Sequence, residues 1–217
     1  MTALSTPEPT RSTSALRAEL LGRATAADLA RLFVKGHLVA ARRRYVESTW
    51  GSLGVTRVTA LLTGDALQAF VRPPLPFVWV GGAVVAALDE AIIVSCMDGQ
   101  CAQMRAFGAV VARDDLPLMY RVFFRVGEPW MVVKLAGAMF PLYFRTDADV
   151  ASALTGQTGG TITLKKAVMP RYLCRDGIVG WVQGALELSG GKDVRVEHER
   201  CVHNGDDACL WRVAWSR

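Results

Sequence analysis

The stretch KDVRVEHERCVHNGDDACLWRVAW, residues 192 to 215, decides how the C-terminal third of the chain folds. Its second half alternates, so that four apolar side chains share one face: Cys209, Trp211, Val213 and Trp215. Between the two halves, Asn204 and Gly205 supply the residues that a tight reversal needs. The stretch therefore predicts a β-hairpin with one apolar face.

The segments just before the hairpin predict one more strand and one helix. TITLKKAVM, residues 161 to 169, follows the turn-forming TGQTGG and begins with β-branched residues, which favours a strand that ends at Pro170. DGIVGWVQGALELSG, residues 176 to 190, places apolar residues on one face and ends in glycine, as amphipathic helices do. The C-terminal third is thus predicted to be a strand, a helix and a hairpin.

The rest of the chain is predicted to be helical. From residue 15 to about residue 155, apolar residues recur at three- and four-residue spacing, and PPLP at 73–76 interrupts them. The apolar runs at 75–88 and 130–144 are too short or too interrupted to span a membrane, which needs about 20 apolar residues. We therefore predict an α+β fold, in which a helical N-terminal two-thirds packs on a small antiparallel sheet formed by the C-terminal strand, helix and hairpin.

Composition predicts a single globular domain over residues 15–217. Hydrophobic residues make up 51% of the 217 residues and charged residues 21%, which is enough apolar material for a sizeable core. Residues 1–14 are rich in Ser, Thr and Pro, as disordered tails are, and show no signal-peptide pattern, so we expect a cytoplasmic protein. The net charge of +5 is spread along the chain, and we expect no nucleic-acid partner.

Four residues near the C-terminus carry the donor atoms of a metal site. Cysteines of a cytoplasmic chain are expected to stay reduced, so metal binding or plain burial remains for them. Cys201 and Cys209 would meet at the two ends of the hairpin loop. His198 lies three residues before Cys201, and Cys174 precedes the predicted helix. Thiolates and an imidazole suit tetrahedral zinc, but on spacing alone a metal site and buried thiols both stay open.

Strand parity sets a condition on this site. Alternate residues of a strand face opposite sides, and His198 and Cys201 are separated by an odd number of residues. A bulge or a strand end near Arg200 is therefore required if both are to face the same ion. Glu199 has the parity of Cys201 and is the alternative fourth ligand.

The run from RYLC to RVAW, residues 171–215, resembles the 4-vinyl reductase-like domain, a small-molecule-binding domain of phenol-sensing activators that is related to subunits of the TRAPP tethering complex. The resemblance covers roughly residues 160–217. In the sensor members a Cys, a Glu, a Cys and a final Cys hold zinc. The matching positions here are Cys174, His198, Cys201 and Cys209, with His in place of Glu. The resemblance implies a structural zinc, a homodimer, and a pocket between helices and sheet for an apolar or aromatic molecule.

A looser resemblance, carried by FVKGHLVAAR at 33–42 and by the helix after Cys174, links the chain to a myxobacterial group of paralogous proteins of unknown function. It brings no chemistry with it. His37 is the histidine to consider for haem, because the 4-vinyl reductase-like family is distantly related to haem nitric-oxide sensors. The Tyr-x-Ser-x-Arg signature of those sensors is absent from the sequence, so we do not expect haem.

The middle of the chain is rich in aromatic residues that either fill the core or line a pocket. We take five of them as the ligand-binding candidates: Phe107, Tyr120, Phe124, Trp130 and Tyr143.

No catalytic motif is found, so the sequence predicts a protein that is not an enzyme. The leading hypothesis is a cytosolic sensor domain that binds an apolar or aromatic small molecule, is stabilised by structural zinc, and signals through a homodimer or a protein partner. The alternative is a TRAPP-like scaffold or protein-interaction module, whose cavity is filled by its own side chains or by a lipid chain. An empty cavity with a few polar anchors would favour the sensor.

Overall fold

The computed structural model describes residues 13–123 and 128–216, without the side chains of residues 13 and 117–123. The predicted tail, residues 1–14, lies outside these residues except for its last two, which begin the first helix. The helices are α1 (Thr13–Leu21), α2 (Ala26–Arg31), α3 (Gly36–Leu61), α4 (Gly64–Val71), α5 (Gly82–Cys96), α6 (Met104–Phe123), α7 (Trp130–Lys134), α8 (Ala136–Tyr143) and α9 (Ile178–Leu188).

The strands form two antiparallel sheets. A three-stranded sheet has the order β2-β1-β3, and a four-stranded sheet has the order β4-β5-β7-β6. Their bounds are β1 (Phe33–Lys35), β2 (Trp79–Gly81), β3 (Phe144–Arg145), β4 (Asp149–Leu154), β5 (Gly159–Lys165), β6 (Lys192–Arg200) and β7 (Cys209–Ser216). The predicted α+β fold is confirmed, with the helices concentrated in the N-terminal part and β5, α9, β6 and β7 in the predicted order.

The sequence missed the three-stranded sheet and β4. Strands β1, β2 and β3 are two or three residues long, and β1 and β2 lead directly into α3 and α5. Alternation cannot show over so short a span, so the helical period of the following residues dominates the pattern. These strands matter because β1 and β3 hold the first turns of α3 and the end of α8 beside one another.

Helix α3 is interrupted at one residue. Gly51 has non-helical backbone angles, with φ 63° and ψ −159°. Helical structure resumes at once and continues to Leu61, so the glycine interrupts one long element instead of ending it.

Helices α6 and α9 pack with their backbones in close contact. A Cβ atom added to Gly108 of α6 would overlap the carbonyl of Gly177, and one added to Gly180 of α9 would overlap the carbonyl of Arg105. Only glycine permits this approach. The packing fixes the first turn of α9, which forms one wall of the site described below.

No helix within residues 13–123 and 128–216 is both long enough and apolar enough to cross a membrane.

Candidate ligand cavity and cysteine-histidine cluster

A cavity of about 110 Å³ lies between the helices and the four-stranded sheet. Its walls come from α3, α6, α7, α8 and α9, with side chains of β1, β3, β4, β5 and β7 completing them. Nearly all the lining side chains are aliphatic or aromatic, among them Leu38, Phe107, Val132, Ile162, Ile178 and Trp211. The apolar faces of the predicted helices and hairpin therefore meet around a space that they do not fill.

The one charged residue on the described lining is neutralised. Arg42 of α3 donates through Nε and Nη2 to the two carboxylate oxygens of Asp89 at 2.6 and 2.8 Å, and through Nη1 to the Leu38 carbonyl at 2.8 Å. Tyr172 donates to the same carboxylate at 2.8 Å, and all three side chains are almost completely buried. Because the Arg42 charge is paired in this way, it is not available to a ligand carboxylate.

Two polar atoms on the lining are buried without a hydrogen-bond partner among the described residues. They are the hydroxyl of Tyr143 and Nε1 of Trp181. The two rings meet edge to face with centroids 5.3 Å apart, and Tyr143 is only 5% exposed. Burial raises the pKa of Tyr143 well above its usual range, and the nearby carboxylate of Asp115 raises that pKa further. The side chain of Trp181 lowers the pKa but does not outweigh these two causes, so the hydroxyl keeps its proton.

The predicted pocket residues divide into three groups. Phe107 and Tyr143 line the cavity, as expected. Trp130 does not: it lines a separate pocket with Glu128 and Trp215, and the ammonium group of Lys134 lies over its ring. The side chain of Tyr120 and all of Phe124 lie outside the described residues.

The histidine considered for haem is also away from the cavity lining. His37 Nε2 lies 3.3 Å from Asp115 Oδ2, and its ring centroid lies 5.5 Å from that of Tyr143.

The sequence did not single out Trp181 or Trp211 as pocket residues. Their positions on the apolar faces of α9 and β7 were the available signal, but the same pattern is expected of ordinary core residues.

The four residues predicted to bind metal do come together. One ligand atom from each of Cys174, His198, Cys201 and Cys209 lies within 4.8 Å of the ligand atoms of the other three. The Cys201 sulfur lies 3.9 Å from that of Cys174 and 4.0 Å from that of Cys209. The three cysteines are buried, and His198 Nε2 is a buried atom without a hydrogen-bond partner among the described residues.

The predicted bulge makes this arrangement possible. His198 is opposite Trp211, and Arg200 is opposite Leu210, so the pairing of β6 with β7 is irregular between His198 and Arg200. The extra residue lets His198 and Cys201 face the same side. Glu199 points elsewhere, since both of its carboxylate oxygens accept hydrogen bonds from Arg212, and it is therefore not the fourth member of the cluster.

The thiols of the cluster do not ionise independently. Hydrogen bonds from the Cys174 and Cys209 thiols lower the pKa of Cys201. The same contact with Cys201, together with a contact from Cys209 and burial, raises the pKa of Cys174. The three thiols therefore ionise as one coupled group, and only a cation would favour three thiolates in so small a volume.

Neighbouring groups hold the cluster in place. The backbone N–H of Cys201 donates to Asp206 Oδ2 at 2.7 Å, so this aspartate stabilises the loop between β6 and β7. Trp211 stacks on the His198 ring with a centroid distance of 4.9 Å and an angle of 14°, and its Nε1 donates to the Cys174 carbonyl at 3.0 Å.

Comparison with solved structures shows that the chain has the fold of H-NOX domains, the haem-nitric oxide/oxygen binding domains. An H-NOX domain from Shewanella oneidensis in the Fe(II)CO state matches with a TM-score of 0.66 and 15% identity, over 84% of this chain and 99% of the other. An Fe(II) H-NOX protein from K. algicida matches with a TM-score of 0.59 and 9% identity, over 84% and 97%. No known family profile matches the sequence, and no curated protein does.

Two expectations from the sequence are corrected by these matches. The resemblance to the 4-vinyl reductase-like domain is wrong as a recognition of the chain, because the matching structures are H-NOX domains over most of its length. Short motifs within roughly residues 160–217 led to it, whereas the order and packing of all the elements decide a fold. The expectation of a structural zinc cofactor falls with it, since the cofactor of the matching H-NOX proteins is haem.

The cavity of this chain does not fit a haem. A cavity of about 150 Å³ holds one benzene ring, and the present cavity, at about 110 Å³, has room for no more than about one small ring. A tetrapyrrole is several times larger than a benzene ring. The residues that line the cavity also include neither histidine nor cysteine among those described, although Met139 and Tyr143 are of types that bind haem iron in some proteins.

Proposed function

We propose that this protein is a small-molecule sensor domain, and that its ligand is a neutral, largely apolar molecule of about the size of one aromatic ring. The observation that carries the proposal is the apolar cavity with two unpaired hydrogen-bond donors, Tyr143 and Trp181. Natural proteins rarely leave buried donors unpaired, because each one costs about 1–3 kcal/mol. A ligand that supplies an acceptor would recover this loss.

Charge and size narrow the ligand class. A carboxylate or phosphate would need a free cation, whereas Arg42 is already bound to Asp89. A lipid chain or a second ring would need more than about 110 Å³. A monocyclic compound with a single oxygen or nitrogen acceptor satisfies both conditions.

The same cavity bears on the alternative hypotheses. A scaffold with a self-filled interior would leave no such space, so the cavity favours ligand binding over the TRAPP-like alternative.

We also propose that the protein is not an enzyme. The described lining offers no carboxylate, histidine, cysteine, serine or lysine that could transfer a proton or attack a substrate.

Calorimetric titration with phenol and with toluene tests the ligand class. The two molecules have the same shape, but only phenol carries an oxygen acceptor for Tyr143 and Trp181. We expect both to bind the parent protein, and we expect Tyr143→Phe to weaken phenol about 10-fold while leaving toluene within about 2-fold, since one hydrogen bond is lost. Failure of both compounds to bind would contradict the proposal.

A pair of size variants controls for the location of binding. Ala136 lines the cavity at the start of α8, whereas Ala30 is exposed on α2. Ala136→Leu should abolish the binding of both compounds by filling the space, and Ala30→Leu should leave both affinities unchanged. Circular dichroism of both variants would show that the fold is kept. Equal affinities in all three proteins would place the ligand outside the cavity.

We further propose that Cys174, His198, Cys201 and Cys209 bind one divalent transition-metal ion. The mutual distances within 4.8 Å, the unpaired Nε2 of His198 and the soft sulfur donors support this. With four protein donors such a site would leave no coordination position open for a substrate.

Titration with Co²⁺ tests the metal site, because thiolate-bound Co²⁺ absorbs strongly in the near ultraviolet. We expect one Co²⁺ per chain in the parent protein and a large loss of affinity in Cys201→Ser. Cys96→Ser is the matched control, since Cys96 is a cysteine of α5 that does not belong to the cluster. The metal proposal fails if the parent shows no charge-transfer absorption, or if both variants lose it equally.

A homodimer, a protein partner for the output and a cytoplasmic location stay as predictions. Light scattering with and without phenol would test the first, since a ligand that binds monomer and dimer with different affinities shifts the equilibrium between them.

A further inference from the structure

The indole of Trp211 belongs to both sites at once. The residue is 1% exposed, in the middle of β7, and its ring lines the cavity. The same ring stacks on His198 at a centroid distance of 4.9 Å, and Nε1 donates to the carbonyl of Cys174 at 3.0 Å. Two of the four residues of the cluster are therefore in direct contact with a wall of the cavity.

The backbone provides a second connection. Cys174 lies in a π-helical turn, Leu173–Gly177, whose first and last residues line the cavity. The turn continues without a break into α9, which contributes Ile178 and Trp181 to the lining. Because α9 is held against α6 by glycine contacts, a shift at Cys174 cannot be absorbed by sliding the helix and is passed to the cavity wall.

We infer that Trp211 couples the two sites, so that metal binding at the cluster tightens ligand binding in the cavity. This rests on the proposed function, both its ligand and its metal site. An ion held by Cys174 and His198 fixes the carbonyl and the imidazole that orient the indole. A ligand in the cavity packs against the same indole and favours the same orientation. Binding of the ion therefore lowers the entropy cost of fixing the indole when the ligand binds, and binding of the ligand does the same for the ion.

The coupling is measured by titrating phenol into the metal-free protein and into the Co²⁺ protein. We expect the dissociation constant of phenol to fall at least about 5-fold when Co²⁺ is bound, the lower end of typical couplings between sites. Saturating phenol must tighten Co²⁺ by the same factor, because linkage between two binding equilibria is reciprocal. Agreement of the two factors excludes the artefact in which the metal changes only the fraction of protein that is able to bind phenol.

Two tryptophan variants identify the residue responsible. Trp211→Phe keeps an aromatic ring but loses the donor to Cys174. Trp215→Phe makes the same change on the same face of β7, at a buried residue outside both the cavity and the cluster. We expect the coupling factor to fall to about 2 or less in Trp211→Phe and to keep its parent value in Trp215→Phe.

The outcomes separate this inference from the proposals beneath it. If phenol does not bind, the proposed ligand site fails, and if Co²⁺ does not bind, the proposed metal site fails; either result also overturns the coupling. If both bind to the parent protein with affinities that do not depend on each other, the coupling alone is overturned. That comparison uses only the parent protein, so it decides the matter even if Trp211→Phe fails to fold. Equal loss of coupling in both variants would remove the assignment to Trp211.

Discussion

Tyr143 and Tyr172 are both buried, yet their hydroxyl groups are in opposite situations. Tyr172 donates to Asp89 at 2.8 Å, whereas the Tyr143 hydroxyl has no partner among the described residues. The removal of one oxygen atom should therefore have opposite effects at the two positions. One hydroxyl is part of the structure of the core, and the other is available to a ligand.

We expect Tyr143→Phe to raise the free energy of unfolding of the ligand-free protein by about 1 kcal/mol, because it removes an unpaired buried polar atom. The matched variant Tyr172→Phe should lower it by roughly 2 kcal/mol, because it removes a hydrogen bond to a buried carboxylate. Urea unfolding curves give both values. A change of the same sign in the two variants would show that the Tyr143 hydroxyl is paired.

The pH dependence of stability provides a second test of Tyr143. Burial raises the pKa of Tyr143 above the ordinary value of 10.0. Folding therefore favours the neutral phenol, so this contribution to stability is complete below about pH 10 and is lost as the pH rises towards the folded-state pKa. We expect the free energy of unfolding to fall more steeply above about pH 10 in the parent than in Tyr143→Phe. Parallel curves would contradict the assignment.

At the scale of the elements, the contact between α6 and α9 leaves no room for a larger residue at its glycines. A Cβ at Gly180 would overlap the Arg105 carbonyl, whereas a Cβ at Gly81, at the end of β2, would meet nothing within 4 Å. We expect Gly180→Ala to lower the free energy of unfolding by about 3 kcal/mol and Gly81→Ala to change it by less than about 1 kcal/mol. Thermal and urea unfolding would report both. A small effect at Gly180 would mean that the helices separate easily.

The elements also show what the sequence could predict. The hairpin followed from alternation, which depends only on neighbouring residues, and parity showed that His198 and Cys201 could face the same side only with a bulge or a strand end near Arg200. The sequence left open whether His198 or Glu199 is the fourth member of the cluster, because a shift of one residue in strand register exchanges the two faces of a strand. The register seen in the structure selects His198.

The cavity and the short strands could not be predicted in the same way. Phe107 and Tyr143 line the cavity and Trp130 does not, although all three are aromatic residues of helical segments. Which of these side chains lines the cavity depends on how five helices pack against the sheet. This packing cannot be predicted from the pattern of neighbouring residues. The pairing of Arg42 with Asp89, across 47 residues, is of the same kind.

At the scale of the whole molecule, the chain combines the H-NOX fold with a cavity too small for haem. We expect protein purified from haem-sufficient cells to show no Soret absorption, and we expect titration with hemin to give no stoichiometric complex. The Shewanella oneidensis H-NOX domain is the positive control. One bound haem per chain, with a spectrum that responds to nitric oxide, would overturn the size argument.

The irregularity in β6 has an evolutionary consequence. Val196, His198 and Val194 share one side of the strand, and the burial of Val196 helps to hold that side inward. Suppose that Val196 is replaced by a polar residue and that the neighbouring residue in β6 becomes apolar. The strand would then shift by one residue, and the carboxylate of Glu199 would face the cluster in place of the imidazole of His198. Descendants of this sequence could thus replace a nitrogen donor by an oxygen donor, and change the ions they select, while all of the residues that provide those donors stay the same.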